Sequence, residues 1–519
     1  MKKIRKQAIL IILTITFILI LCGAVSAADT VSGDPYVLNN VYVSPTGNDS
    51  NSGADVDHPV QTIQTGLYLA NNTGTVHLAE GTYNKSISSS SKDYGIQIDR
   101  NVTIIGSGKD RTIIDALGDN NMFYVPPDFV LTIKDLTMRN GNQEGGGAIF
   151  NIGTCTVTNC AFENNEAGGG GAIGNLGTCT VTDSIFTDNE AYYSGGAIWN
   201  IGTLVVSGCT FNNNSARMGG AIYDNKAILN ITNSIIENNK AVGNTAELNA
   251  QYEANGGGIY LYDSSSYEII GNQILNNTGS GIYIGREDLR ETTIIDSTSD
   301  DEKSLINFNR IYGNTPYGIY YEDLVVPSGE VSAAKPIANV NATLNWWGSN
   351  GGPNSTGADK TNLVSAYYAP WIVMGFTPQV VTINGGQTTQ LIATFLYDNL
   401  GNYHDPANGH IPDGTPVLFT TSLGQVGSQF ITKYTSNGIA IAILRAWNAA
   451  GEPVWGTAYI TATTDAQLLS NSVTMLEVPT VSAKSTEKTI GMLPTGLPLA
   501  GLILAILALF GGLSIPKRK

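Results

Sequence analysis

Four charged residues follow a recurring isoleucine at the same distance, four positions on. They are Lys226 after Ile222, Asp263 after Ile259, Arg286 after Ile282 and Asp323 after Ile319, with Glu322 beside the last. An Arg or Lys base next to acidic calcium ligands is what a polysaccharide lyase needs. Two carboxylates about 5–9 Å apart across a cleft can hydrolyse a glycosidic bond. Mixed charge is also what a solvated edge carries, and that simpler reading is preferred. The chain is therefore expected not to be an enzyme, with polysaccharide lyase or glycosidase as the alternative.

A second set sits directly after the same isoleucines: Phe150, Gly174, Trp199, Tyr223, Tyr260, Tyr283 and Tyr320. If each isoleucine points inward on a strand, the next side chain points outward. Neighbouring strands lie about 4.8 Å apart, so Trp199, Tyr223, Tyr260, Tyr283 and Tyr320 would form an exposed aromatic strip. Aromatic faces stack on the apolar faces of sugar rings, and tyrosine adds a hydroxyl. The strip is the candidate ligand-binding face. Stacked rings that merely support a sheet are the plainer alternative.

Both sets depend on a repeat. The isoleucine recurs at Ile149, Ile173, Ile198, Ile222, Ile259, Ile282 and Ile319, in steps of 24, 25, 24, 37, 23 and 37 residues. A second apolar anchor keeps the same time at Phe162, Phe186, Phe211, Ile236, Ile274 and Ile311. An asparagine follows each by three: Asn165, Asn189, Asn214, Asn239, Asn277 and Asn314. Between anchors the residues alternate, as in Thr154 to Thr158, which is a strand with one buried face. A unit of about 24 residues holds three short strands and three turns, and one such turn cannot bury its own inner face. Stacking turns in parallel buries a continuous core and pairs the backbone up and down the stack. The expected fold is all-β: a parallel β-helix over 35–373, with the asparagines as a structural ladder. The long steps place insertions at Lys240–Asn255, Gly285–Lys303 and Asp323–Ala338, which leave the coil as loops.

The GGAI and F-x-x-N-x-A elements, read as "FENNEA", "FTDNEA" and "FNNNSA", resemble the repeats of polymorphic outer-membrane adhesins. Val41–Tyr83 resembles the opening of many right-handed β-helix proteins, in which a short helix, here about Val60 to Ala70, caps the open end. "NWWGSNGGP" (Asn345–Pro353) resembles their closing segment. From about 375 to 478 longer alternating strands replace the glycine repeat and read as a β-sandwich. Phe395, Phe419, Ile441 and Ile460 are expected in its core. "IPDGTPVLFTTSLGQVG" and "TSNGIAIAILRA" look similar to the Ig-like modules of invasin- and intimin-type adhesins, which implies a stalk. Taken with its two ends, the chain resembles the adhesin-like surface proteins of methanogenic archaea. The resemblance implies attachment to extracellular glycans or other cell surfaces.

Residues 1–27 read as a secretory signal: a basic start, an apolar run and small residues up to Ala27. A polar linker spans 479–493. Residues 494–519 are apolar and end in Pro516-Lys517-Arg518-Lys519, about long enough to cross a bilayer as an anchoring helix. Leu493-Pro494-Thr495-Gly496 resembles a sorting signal without its spacer residue, so plain membrane retention is preferred. A cell-surface, single-pass protein with its bulk outside is the expectation. Asn-x-Ser/Thr sites such as Asn71 and Asn213 fit a glycoprotein. The two ends hold seven of 27 basic residues and none of 43 acidic ones, leaving an acidic remainder unsuited to nucleic acid. No cofactor is expected. Calcium stays open on so acidic a surface, although no repeat reads Gly-Gly-x-Gly-x-Asp, and no Cys/His cluster suggests zinc. Cys155 and Cys179 fall at one position of successive coils and read as a core pair rather than a disulfide.

Overall fold

The computed structural model describes residues 38–84, 92–243, 255–285, 304–322 and 340–478. Short strands stack in parallel into sheets of 11, 9, 9 and 4 strands. Each coil contributes one strand to each sheet it reaches, and the sequence register is kept from coil to coil. Ile149 pairs with Ile173, Ile173 with Ile198, Ile198 with Ile222 and Ile222 with Ile259. All seven isoleucines of this column are fully buried. Beside them Phe162, Phe186 and Phe211 stack face to face, with centroids 4.6 Å apart at each step.

The paired asparagines of each repeat divide two tasks. The first turns the corner: Asn164, Asp188, Asn213, Asn238 and Asn276 have φ between 51° and 57°, a left-handed conformation that Asn and Asp tolerate best after glycine. The second points inward. Each inward side-chain amide donates to the carbonyl oxygen of the next, Asn165 to Asn189 at 2.9 Å and on through Asn214, Asn239, Asn277 and Asn314. The column ends on the carboxylate of Asp359, which accepts from Asn314 Nδ2 at 2.7 Å and from the backbone of Gly313 and Asn314. A buried amide needs such partners, and stacking supplies them without a water.

Two further ladders lie in the same coil. One runs Asn151, Asn175, Asn200, Asp224. The other runs Asn272, Asn309, Asn345. Cys160, Ser184, Cys209 and Ser234 continue it backward through hydrogen bonds from backbone amides. All four cysteines of the coil are buried and unbonded, Cys155 and Cys179 included.

A short helix, Ile63–Leu69, covers the first coils and buries Ile63, Gly66 and Leu67. Thr62 caps it by accepting from Thr65 N. At the far end, strands from Ile372 onward form sheets of three and five strands around a second core. Phe395, Phe419 and Ile460 are fully buried there. Ile441 is not: it is 44% exposed, and Ala440, Ala442 and Leu444 face inward on its strand. Alternation marks two faces and does not say which is covered. Here Trp346, Phe395 and Phe419 fill the interior, so the small residues of the strand point in and the isoleucines out.

The two cores meet directly. Trp346 leaves the last coil and packs edge-on against Phe395, centroids 5.2 Å apart. Its indole donates to Asp465, which also holds Arg310 of the coil.

The two terminal segments, 1–27 and 494–519, and the linker 479–493 lie outside the described residues, as do most of the insertions. Among the described residues no helix is long and apolar enough to cross a membrane. The anchored, cell-surface placement expected from the sequence is therefore withdrawn.

Candidate functional site

The aromatic column forms in the expected register. Trp199 pairs with Tyr223, Tyr223 with Tyr260, Tyr260 with Tyr283 and Tyr283 with Tyr320. Ring centroids are 5.3, 4.9 and 5.0 Å apart along the tyrosines. The rings lie outside the coil in a cluster separate from its core, but most of the column is not exposed. Tyr223, Tyr260 and Tyr283 are 7%, 4% and 7% accessible; Trp199, Tyr262 and Tyr320 pack half-buried around them, with Met218. Burial, with neighbouring tyrosines and Glu322, pushes the Tyr260 phenol well above its ordinary range. It stays a neutral donor. Any side chain at Gly285 would crowd it, since a β-carbon there would lie 2.5 Å from the Tyr260 hydroxyl oxygen. An outward strand position is thus not the same as an open surface, because the rings of the column bury one another and pack against Tyr262 and Met218.

The open aromatic face lies one coil edge away. Tyr192 and Tyr193 are 58% and 51% exposed, with centroids 4.6 Å apart and rings perpendicular. Arg217, from the next coil, sits 4.3 Å over the Tyr192 ring and donates to its hydroxyl at 2.8 Å. A bulge makes this possible. Ala167 pairs with Ala191 and Gly169 with Ser194, so Tyr192 and Tyr193 together oppose Gly168. A bulge adds one residue and re-aims the side chains beside it. Gly168 is tight for a side chain, because a β-carbon there would come within 2.9 Å of the Glu144 backbone oxygen. The group connects to the buried column. Met218, whose backbone amide donates to Tyr193 O, packs against the tyrosines, and Trp199 lies over Gly169.

Two carboxylates flank the pair. Glu166 and Glu190, both exposed, are register partners on adjacent coils. The next positions in that column are Ser215 and Lys240. Sequence reasoning missed this group, although the signal was present. Where one coil reads Glu-Ala-Gly-Gly-Gly-Gly, the next reads Glu-Ala-Tyr-Tyr-Ser-Gly-Gly, one residue longer. That extra residue is the 25 among steps of 24.

The charged column is only partly assembled. Lys226 and Asp263 are exposed corner residues with φ of 53° and 48°. Arg286 and Asp323 lie outside the described residues. Glu322 is half-buried next to Tyr260 and so belongs with the tyrosines. Among the described residues no group of three His, Cys, Asp or Glu could hold a metal ion.

Residues 121–284 match the family model for a right-handed beta helix region. No curated protein matches the chain. Among solved structures it is similar to a rhamnogalacturonan lyase, at 14% identity and a TM-score of 0.33, over 63% of this chain and 86% of that one. It is also similar to the A-module of the mannuronan C-5 epimerase AlgE6 of Azotobacter vinelandii, at 14% identity and a TM-score of 0.21, over 48% of this chain and 82% of that one. The expectation that the chain is not an enzyme is withdrawn, and at this identity and TM-score neither likeness carries its activity over to the chain. What the chain carries between its ends is a right-handed parallel β-helix followed by a smaller β-sheet region.

Proposed function

We propose that the β-helix handles an extended polysaccharide, seated on Tyr192 and Tyr193 and running across the coils toward Trp199. The observation that carries this reading is the exposed aromatic pair, presented by a bulge and braced by Arg217. Sugar rings offer apolar faces to such rings and hydroxyls to the groups around them. A stack of coils about 4.8 Å apart presents a straight, regular track, which suits a polymer better than a compact ligand.

The same seat supports two finer readings. In one the polysaccharide is simply held, which is adhesion. In the other it is cut, and the register of Glu166 and Glu190 favours this second reading. The two project from neighbouring coils, whose backbones are about 4.8 Å apart, and a retaining glycosidase uses a pair of carboxyls beside the scissile bond. One would protonate the leaving oxygen while the other attacked the sugar carbon, and a water deprotonated by the first would then release the sugar from the second.

The test uses the full chain with a panel of neutral and acidic polysaccharides, with and without calcium. Binding is read by affinity electrophoresis, and products as new reducing ends or unsaturated sugars. Replacing Tyr192 and Tyr193 with Ala should weaken retention at least tenfold. Glu166→Gln should abolish products and spare binding if the polymer is cut. Retention of no polysaccharide at all would overturn the reading.

A further inference from the structure

The first two coils carry a cleft far from the tyrosines. It has a volume of about 690 Å³ and lies between the outer face of strands Leu38–Val43 and Ala70–Leu78 and the loop of residues 44–59. That size falls in the usual range of small-molecule sites, about 300–1,000 Å³. Its floor is aromatic: Tyr42 stacks on His77, centroids 5.1 Å apart and planes 17° from parallel. Its rim carries hydroxyl and amide groups from Ser44, Thr46, Asn51 and Ser107.

The loop wall is rigid. Asp49 accepts from the amides of Gln61 and Thr62 at 2.8 Å each and from the Thr62 hydroxyl at 3.0 Å. Tyr42 N donates to Gly53 O, and Val60 N to Tyr42 O. Gly47 lies so close to Val60 that a β-carbon would come within 2.4 Å of its carbonyl oxygen. A wall fixed in this way needs little ordering when a ligand enters, which lowers the cost of binding.

We infer that this cleft is a second, independent site, for a short neutral oligosaccharide. An aromatic floor with a hydroxyl and amide rim matches the two surfaces of a sugar, its apolar face and its hydroxyl edge. The lining carries no cationic side chain to pair with an acidic sugar, and its one carboxylate, Asp57, would repel one. His77 supports the same conclusion. Its Nε2 lies 3.0 Å from the Asn40 side-chain oxygen, which only accepts, so this nitrogen carries the proton and Nδ1 is left as an acceptor. Burial lowers the pKa of the ring, which keeps it neutral and suited to a hydroxyl donor.

The test is isothermal titration of the full chain with trimers of glucose, mannose and galactose, and with a uronic-acid trimer as control. At least one neutral trimer should bind saturably and the acidic one should not. Tyr42→Ala removes the floor, and Thr46→Trp fills the cleft from its exposed rim without touching the core. Each should weaken binding at least tenfold, while replacing Tyr192 and Tyr193 with Ala should leave it unchanged. Saturable binding that survives both cleft variants, or is lost with Tyr192 and Tyr193, would overturn the inference. So would the absence of binding by any neutral trimer.

Discussion

Asp465 ties the sandwich to the coil through two buried side chains, Arg310 and Trp346. It sits in the turn between strands Gly456–Thr464 and Gln467–Leu476, with φ of 50° and a side chain 1% exposed. One carboxylate oxygen accepts from Arg310 Nε at 3.1 Å and from Trp346 Nε1 at 2.7 Å, and the other accepts from the Arg310 terminal nitrogen. Arg310 is itself 10% exposed, and its remaining nitrogen donates to Gln273. Asp465→Ala would leave a buried guanidinium without its counter-charge and an indole N–H without an acceptor. Removing one partner of a buried pair costs about 3–5 kcal/mol. Asp465→Asn keeps the shape and an acceptor, and should cost less, about 1.5–3 kcal/mol, as for a hydrogen bond to a charged group. Replacing Arg310 with Met and Asp465 with Asn together removes both charges, keeps an acceptor for the Trp346 indole and suits a φ of 50°, and should recover most of the loss. The assay is urea denaturation of the full chain followed by tryptophan fluorescence. A loss under about 1 kcal/mol for the alanine variant, or a double variant no better than the sum of its singles, would refute the reasoning.

Phe211→Ala opens the centre of the phenylalanine stack and should cost about 3–5 kcal/mol, while dithiothreitol should leave the melting temperature unchanged because the coil's cysteines are unbonded. Burial lifts the Asp224 carboxyl from 3.8 to about 6, with one oxygen unpartnered. The folded value lies above the unfolded one, so this group's contribution is greatest below pH 4, falls between about pH 4 and 6, and is flat above. At roughly 1.4 kcal/mol per unit the span is about 3 kcal/mol. Asp224→Asn should therefore be more stable than the parent at pH 8 and no better at pH 4, and a difference that does not change with pH would contradict the assignment. In the sandwich, Ile441→Ser should change stability by less than about 0.5 kcal/mol, whereas Ala442→Leu should cost about 1–3 kcal/mol by overpacking; chemical denaturation of the two variants compares them directly.

The order of the coils was legible in the sequence because a parallel stack must repeat itself. Each coil pairs only with its neighbours, so the spacing of Ile149, Ile173 and Ile198 carries the register with no long-range information. The inward asparagine column followed for the same reason, since equal spacing places equal residues above one another. Period two also says that Tyr223 and Ile441 lie on the faces opposite their neighbours. It does not say what lies over those faces, and that depends on other parts of the chain. The rings of Tyr223, Tyr262 and Tyr283 pack around Tyr260, and the bulk of Trp346, Phe395 and Phe419 turns Ile441 outward. The exposed pair Tyr192 and Tyr193 arose from a single extra residue, whose direction only the bulge decides. Asp465 and Arg310 are 155 positions apart with no shared repeat. Local pattern determined the coil, while the pairings between its end and the sandwich, and the choice of which face is open, were settled only where distant segments compete for the same space.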